Sequence, residues 1–308
     1  MADIDCIPTD RPVLLAGPTA SGKSALALAI AESRGGRIIN ADALQKHAAW
    51  SILTARPDAA EERRAPHALY GTVPWGATFS VGDWLRAVRP LLAEGPRPIV
   101  VGGTGLYFRA LTEGLADIPP IPLAVRREAE ARVAAEGIDA LGRALAPEVR
   151  AAIDLANPVR VMRAWAVERA TGRSIRRWQD ETPPPLLPLG AAVPMLLDAP
   201  RDWLAARIER RFDAMLDAGV LAEVRAVLPD WDEAVPAAKA IGAAELVAHL
   251  RGQTSLDDAR ARAAAATRRY AKRQRTWFRA RMGGWTRIDA RTASVAFDIR
   301  KDAGEAGG

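Results

Sequence analysis

Residues 12–24 read Pro-Val-Leu-Leu-Ala-Gly-Pro-Thr-Ala-Ser-Gly-Lys-Ser, a short apolar run that breaks at a glycine. The apolar run over 12–16 reads as a parallel strand buried on both faces. Gly17-Pro18-Thr19-Ala20-Ser21-Gly22-Lys23-Ser24 fits the spacing G-x-x-x-x-G-K-[ST] at every position. The Ala- and Leu-rich stretch from Ser24 to Arg34 supplies the helix that has to follow. In such a loop the backbone N–H groups turn toward a phosphate, and the helix N-terminus adds partial positive charge. Lys23, expected at the surface of the loop, neutralises terminal oxygens, and the Ser24 hydroxyl can sit on a phosphate-bound Mg²⁺. The ligand is therefore a diphosphate or triphosphate. The motif leaves the chemistry open, because kinases, NTPases and some transferases all use it.

Further short strand candidates at 37–40, 98–101 and 193–197 alternate with helical sequence, which predicts a parallel sheet covered on both faces. Between about residues 119 and 179 the sequence is Ala-, Arg- and Glu-rich with no strand signal, and the prolines at 183–185 close it. The expected architecture is α/β: a P-loop NTPase-like parallel sheet flanked by helices, with an inserted all-helical domain. Its parts are a first core segment over 1–117, an inserted helical domain over 118–185, and core completion with basic C-terminal helices over 186–308. Helices are predicted at 201–218, 221–228 and 256–281, and the last twenty residues, rich in Gly and Ala, are expected to fray.

Composition narrows the class. Of 308 residues, 49% are hydrophobic and 26% charged, which fits a water-soluble protein. No run approaches eighteen apolar residues, so no membrane span is predicted. The first ten residues carry no basic and apolar export pattern. Cys6 is the only cysteine, which excludes an intramolecular disulfide and a zinc cluster and suits a reducing, cytoplasmic setting. The net charge of +6 is weak evidence of a nucleic-acid partner, but its placement says more. From Arg260 to Arg287 there are ten basic residues and no acidic one. Arg268, Lys272, Arg275 and Arg279 fall on one helix face, a stripe suited to an RNA backbone.

Two strand ends offer chemistry beyond the phosphate loop. Asn40-Ala41-Asp42-Ala43-Leu44-Gln45 follows the second strand at the carboxyl edge, where α/β sheets bind ligands. There Asp42 can hold Mg²⁺, orient an acceptor, act as a base, or cap the next helix. Val101-Gly102-Gly103-Thr104-Gly105-Leu106-Tyr107 ends the third strand and supplies the Thr104 hydroxyl; it also reads as a turn that lets helix and strand pack. His47, His67 and His249 are scattered, and none is assigned a role.

The phosphate loop, the Asp42-x-x-Gln45 strand end and Val101–Leu111 together resemble the tRNA dimethylallyltransferases (tRNA isopentenyltransferases). The series continues with Arg207–Phe212, Met215 and Leu216, Gly219, Glu223-Val224, Ala240-Ile241-Gly242, Glu245 and Thr267–Phe278. The likeness covers about residues 11–285 in one order. It implies transfer of a dimethylallyl group from dimethylallyl diphosphate to N6 of adenosine 37, in the anticodon loop of tRNA, with Mg²⁺ as cofactor. By this resemblance Asp42, Thr104 and Arg211 are catalytic, and 17–24 hold the diphosphate, with Ser24 on the metal. On the helix alone Arg211 reads as a solvated charge. The tRNA contacts implied are Asp42, Ala43, Leu44, Gln45, Thr104, Arg126, Val159, Arg160, Val161, Met162, Arg163 and Lys239. The chain departs from the usual family pattern at Lys46-His47-Ala48 and at Ala243-Ala244.

A monomer is expected. The rival readings are a small-molecule P-loop kinase, which leaves the helical insertion and the basic helix without a task, and a prenyltransferase acting on free adenine nucleotides, which needs no basic RNA surface. A non-catalytic RNA-binding protein would not need an intact Gly22-Lys23-Ser24 with Asp42.

Overall fold

Four of the six strands among the described residues are the strand candidates legible in the sequence. The computed structural model describes residues 4–293. The expectation for the tail bears mostly on 294–308, which lie outside the described residues. β1 (Val13–Ala16), β2 (Arg37–Asn40), β3 (His67–Ala68), β4 (Pro98–Gly102), β5 (Val193–Asp198) and β6 (Thr286–Asp289) form one parallel sheet in the order β3-β2-β4-β1-β5-β6. β1 lies inside the sheet, with Val13 in register with Ile99 on one side and Val193 on the other. All four β1 residues are fully buried, which is why its sequence is uninterrupted apolar rather than alternating.

The register aligns the strand ends that matter. Ala16 pairs with Gly102 and Asn40 pairs with Val101, so the loops after β1, β2 and β4 leave the sheet side by side. The chain passes from β1 to β2 on one flank and later returns to β5 on the other. The crevice at the end of β1 is thus a topological switch point, where open α/β sheets take ligands. Gly102 makes this crowding possible, since a Cβ there would stand 2.1 Å from the Ala41 carbonyl carbon.

α1 (Lys23–Arg34), α2 (Ala59–Arg64), α3 (Val81–Ala93) and α4 (Gly105–Glu113) connect the first strands. α3 begins with a capping box in which Ser80 and Asp83 satisfy each other's backbone N–H groups. A helical unit, Glu113–Leu186, then interrupts the α/β unit, which resumes at Leu187. It holds α5 (Leu123–Glu136), α6 (Ile138–Ala144), α7 (Pro147–Ala152), α8 (Pro158–Thr171) and α9 (Ile175–Asp180) around a core that includes Leu141, Val149, Val161 and Trp165. Asn157 caps α8 through its side chain and Pro158 stands in its first turn, so the sequence itself marks that start.

The α/β unit closes with α10 (Arg201–Asp217), α11 (Val220–Val227), α12 (Ala243–Leu250) and α13 (Leu256–Arg281). α13 starts at its Ser255 cap and buries Ala259, Ala263, Ala264 and Ala271, small residues that let neighbouring helices approach. Arg260 pairs with Asp213 and Arg268 with Glu209 at 2.9 Å, both joining α13 to α10. Arg268 is therefore committed to an ion pair, while Lys272 and Arg279 of the same stripe are exposed and Arg275 is half-buried.

Candidate active site

The phosphate loop is held open by its backbone. Gly22 sits at φ 87, in the left-handed region that favours glycine. Ala20 also lies there at φ 62, a strained position for a residue with a Cβ. Arg207 fixes it by donating from Nε to the Ala20 carbonyl at 2.9 Å, with its guanidinium over the Trp203 ring. The first-turn N–H groups of α1 have no partner within the helix and face an anion-ready opening.

Lys23 is the first residue of α1 and is 8% exposed, not at the surface of the loop as its sequence position suggested. Burial lowers its pKa to about 8; the Asp42 charge opposes that shift, and Arg211 adds to it. Burial likewise lowers the Arg211 pKa, with Asp42 opposing and Arg207 adding. Arg211 is no solvated helix charge. It donates to Thr19 Oγ1 at 3.4 Å and to the Thr54 carbonyl at 3.1 Å. Ser24 is exposed beside Lys23 on the wall of the same cavity.

That cavity has a volume of about 520 Å³. Thr19, Ala20, Gly22, Lys23, Ser24 and Arg211 line its phosphate end, and Asp42 and Gln45 line it as well. Leu53, Ile208, Phe212, Met215 and Ile241 give it an apolar wall. One chamber thus offers cations, a carboxylate and a hydrocarbon surface.

Asp42 is 8% exposed and does not cap a helix, because residues 43–46 form a turn instead. Its Oδ1 accepts the Leu44 N–H at 2.9 Å. Asn40, fully buried, fixes the backbone around it: its Oδ1 accepts the Asp42 N–H at 2.8 Å, and its Nδ2 donates to the carbonyls of Asp42 and Leu69. The Thr104 Oγ1 accepts the Ala43 N–H at 2.8 Å, and its own N–H donates to the Ala41 carbonyl, so the loops after β2 and β4 are stitched together. Burial first, then the Asp42 charge, raises the phenols of Tyr70, Tyr107 and Tyr270 well above their usual range. These three phenols stay protonated at neutral pH.

Gln45 is buried, and its Nε2 donates to the carbonyls of Thr54 and Ala55 at 3.0 and 2.6 Å, which uses both amide hydrogens. Only its acceptor oxygen remains for a ligand. Ala43 and Leu44 are half-buried in the same turn, and Lys239 is exposed at the end of a short 3-10 turn. In the helical unit Arg126, Val159, Arg160 and Arg163 are exposed and Met162 is half-buried. Partial burial and the Arg126 charge lower the Arg163 pKa. Val161, unlike its neighbours, is fully buried in the helical core, so its side chain packs inward.

Three organising residues carried no assigned role in the sequence. Glu223 on α11 accepts the N–H groups of Ser51, Ile52 and Leu53 at 2.5, 2.9 and 2.8 Å. It thereby sets the carbonyls that receive Gln45 and Arg211. Arg207 supports the phosphate loop as described. Gln274 on α13 is 5% exposed; its Oε1 accepts the Thr19 N–H and its Nε2 donates to the Gly103 carbonyl, each at 2.9 Å. All three lie within the motif series that resembles the transferase family, but these partners are 170 residues or more away in the chain.

Fold and site together define a P-loop α/β protein with a carboxylate facing its phosphate loop. The family model described as IPP transferase matches residues 45–281, and the chain belongs to that family. The phosphate loop lies outside the matched stretch and so testifies separately. A tRNA dimethylallyltransferase of Dinoroseobacter shibae is 59% identical over 295 residues, covering 94% of this chain and 98% of that one. Another, of Ruegeria sp., is 56% identical over 94% of this chain and 99% of its own. Among solved structures, the full-length tRNA isopentenylpyrophosphate transferase of Bacillus halodurans is 30% identical with a TM-score of 0.65, over 95% of this chain and 96% of that one. A eukaryotic dimethylallyltransferase acting on tRNA shares the fold at a TM-score of 0.78 and 23% identity, over 91% of this chain and 73% of its own.

Proposed function

We propose that this protein transfers a dimethylallyl group from dimethylallyl diphosphate to N6 of adenosine 37 in tRNA, releasing diphosphate. The observation that carries the reading is the single cavity in which Lys23, Arg211 and Asp42 share space with an apolar wall. A diphosphate suits the cationic end, and a five-carbon chain suits Leu53, Ile208, Phe212, Met215 and Ile241. Phosphoryl transfer itself calls for no hydrocarbon wall beside the phosphates, whereas prenyl transfer does. The names of the relatives point the same way.

The chemistry follows from the groups present. The exocyclic amine of adenine is a weak nucleophile because its lone pair is delocalised into the ring. Asp42 takes the N6 proton as the new C–N bond forms, a general-base role. The bond from the dimethylallyl carbon to the bridging oxygen breaks, and its electron pair leaves on diphosphate. Lys23, Arg211 and the amides of the loop stabilise that developing charge, and Thr104 holds the turn that carries Asp42. The exposed Ser24 hydroxyl on the cavity wall is the residue that would hold a Mg²⁺ carried by the diphosphate. Held there, Mg²⁺ would supply positive charge to the leaving group.

The adenine leaves its stack to reach Asp42. Ala43, Leu44 and Gln45 flank it, and Arg126, Val159, Arg160, Met162, Arg163 and Lys239 face the rest of the tRNA. The helical domain over 118–185 is the RNA-binding part. A cytoplasmic monomer is the proposed working form. Among the described residues no helix is long and apolar enough to cross a membrane.

The test is incubation with labelled dimethylallyl diphosphate and total tRNA. Label on adenosine 37 is expected, whereas label on free adenine nucleotides, or phosphate transfer from ATP instead, overturns the assignment. Asp42→Asn separates binding from chemistry: donor and tRNA affinity should stay near normal while turnover falls by roughly 10²–10⁴-fold. Full turnover in that variant removes Asp42 from the mechanism, and rescue by excess Mg²⁺ makes it a metal ligand.

A further inference from the structure

We propose that Gln274 is a positioning residue, which holds the phosphate loop in register with the Asp42 carboxylate and so sets the distance over which the transfer occurs. The inference rests on the proposed transferase activity and deepens it. Two loops must cooperate in that reaction, and they leave different strands. One carries the leaving group and the other the base. Gln274 bridges them, bonding at once to the Thr19 N–H of the phosphate loop and to the Gly103 carbonyl beside the Asp42 turn, at 2.9 Å each.

The surroundings show that the amide is fitted to this task. Gln274 is 5% exposed and does not line the cavity, so it acts on substrate only through its partners. A Cβ at position 103 would stand 2.2 Å from Gln274 Nε2 and 3.0 Å from Asp42 Oδ2, so the glycine admits both side chains. One turn earlier on α13, Tyr270 lines the cavity, and the neighbouring Thr104 and Gln274 side chains oppose the rise that burial and Asp42 impose on its phenol. Thr104 in turn receives the Ala43 N–H beside Asp42. A bonded path thus runs from the phosphate loop through Gln274 to Gly103, and from the adjacent Thr104 to Ala41 and Ala43 on either side of the carboxylate. Only a primary amide fills the position, because it offers one acceptor and one donor in a plane. Gln→Glu keeps the acceptor and loses the donor, and Gln→Met loses both.

The experiment compares wild type with Gln274→Met and Gln274→Glu in three measurements: thermal unfolding, binding of inorganic diphosphate, and single-turnover transfer to tRNA. Gln274→Met should remain folded, bind diphosphate roughly tenfold more weakly, and lose about 10²-fold in the transfer step, with an unchanged KM for tRNA. A residue that served stability alone would lower the unfolding temperature and leave the transfer step intact at a permissive temperature, and that result overturns the proposal. Should the Met variant fail to fold, Gln274→Glu decides. It keeps the volume and the Thr19 bond, and should lose turnover by about tenfold or more; wild-type turnover there overturns the proposal too. A wild-type protein that transfers no prenyl group refutes the activity instead, and the diphosphate affinities of the variants then decide the positioning role alone.

Discussion

Lys23 is the residue whose surroundings make the sharpest demand. Without ligand its ammonium is buried next to Arg211, and only Asp42 offsets that, so its pKa falls from 10.5 to about 8. A lysine lowered in this way binds fewer protons folded than unfolded between about pH 8 and 10.5. Its contribution to stability therefore rises with pH across that window, and the buried charge costs most below it. A bound diphosphate reverses the balance by favouring the ammonium. Affinity for a prenyl diphosphate should accordingly decline as pH climbs above about 8. Calorimetry at about pH 9, inside that window, in two buffers of different ionisation heat should reveal proton uptake on binding, absent in Lys23→Met. Equal observed heats in the two buffers would show that Lys23 is already charged before the diphosphate binds.

At the scale of elements, the segment after the Asp42 turn depends on α11. Residues 51–53 form no regular ladder, and their N–H groups all point to one Glu223 carboxylate. Thr54 and Ala55, next in the chain, present carbonyls to Arg211 and Gln45. Glu223→Ala should destabilise the protein by about 2 kcal/mol, since hydrogen bonds to a charged acceptor disappear and half-buried donors are left unpaired. Arg211 would also lose its anchor, so the KM for the donor should rise while the KM for tRNA holds. Glu223→Gln, with one acceptor oxygen in place of two, should fall between. A melting curve beside steady-state kinetics checks both effects, and an unchanged donor KM in the Ala variant would confine Glu223 to stability. The same scale explains which strands were legible. β1, β2, β4 and β5 are apolar because both faces are covered. β3 has two residues, and β6, Thr-Arg-Ile-Asp, has one buried side chain; as edge strands they carry no pattern to find.

For the molecule as a whole, the proposed tRNA binding turns on charge placement. Partial burial and then the Arg126 charge disfavour the charged form of Arg163 in the helical unit, a cost that a bound phosphate would offset. Replacing Arg126, Arg160 and Arg163 by Ala should weaken tRNA binding and flatten its dependence on salt. The log–log slope should drop by about two, at roughly 0.7 for each phosphate that is no longer neutralised. Arg268→Ala should do little, because it breaks an exposed pair and frees Glu209. Affinity measured across a salt series compares the two, and an unchanged slope in the triple variant would leave the helical unit without an electrostatic part in RNA binding.

The sequence by itself determined the phosphate loop, the four covered strands, the limits of α13 at Leu256 and Arg281, and the family. Those features depend on local spacing, on burial that demands an apolar residue, and on a motif whose chemistry tolerates few substitutes. It could not tell whether Asp42 caps a helix, whether Lys23 is exposed, or whether Val161 faces RNA, because each depends on what packs against it. Nor did it give Gln274 a task. An amide within a basic helix looks like one more polar residue until the fold brings Thr19 and Gly103 to either side of it. Hydrogen bonds between residues 171 and 255 positions apart leave no periodic trace in the chain, and only the tertiary structure decides them.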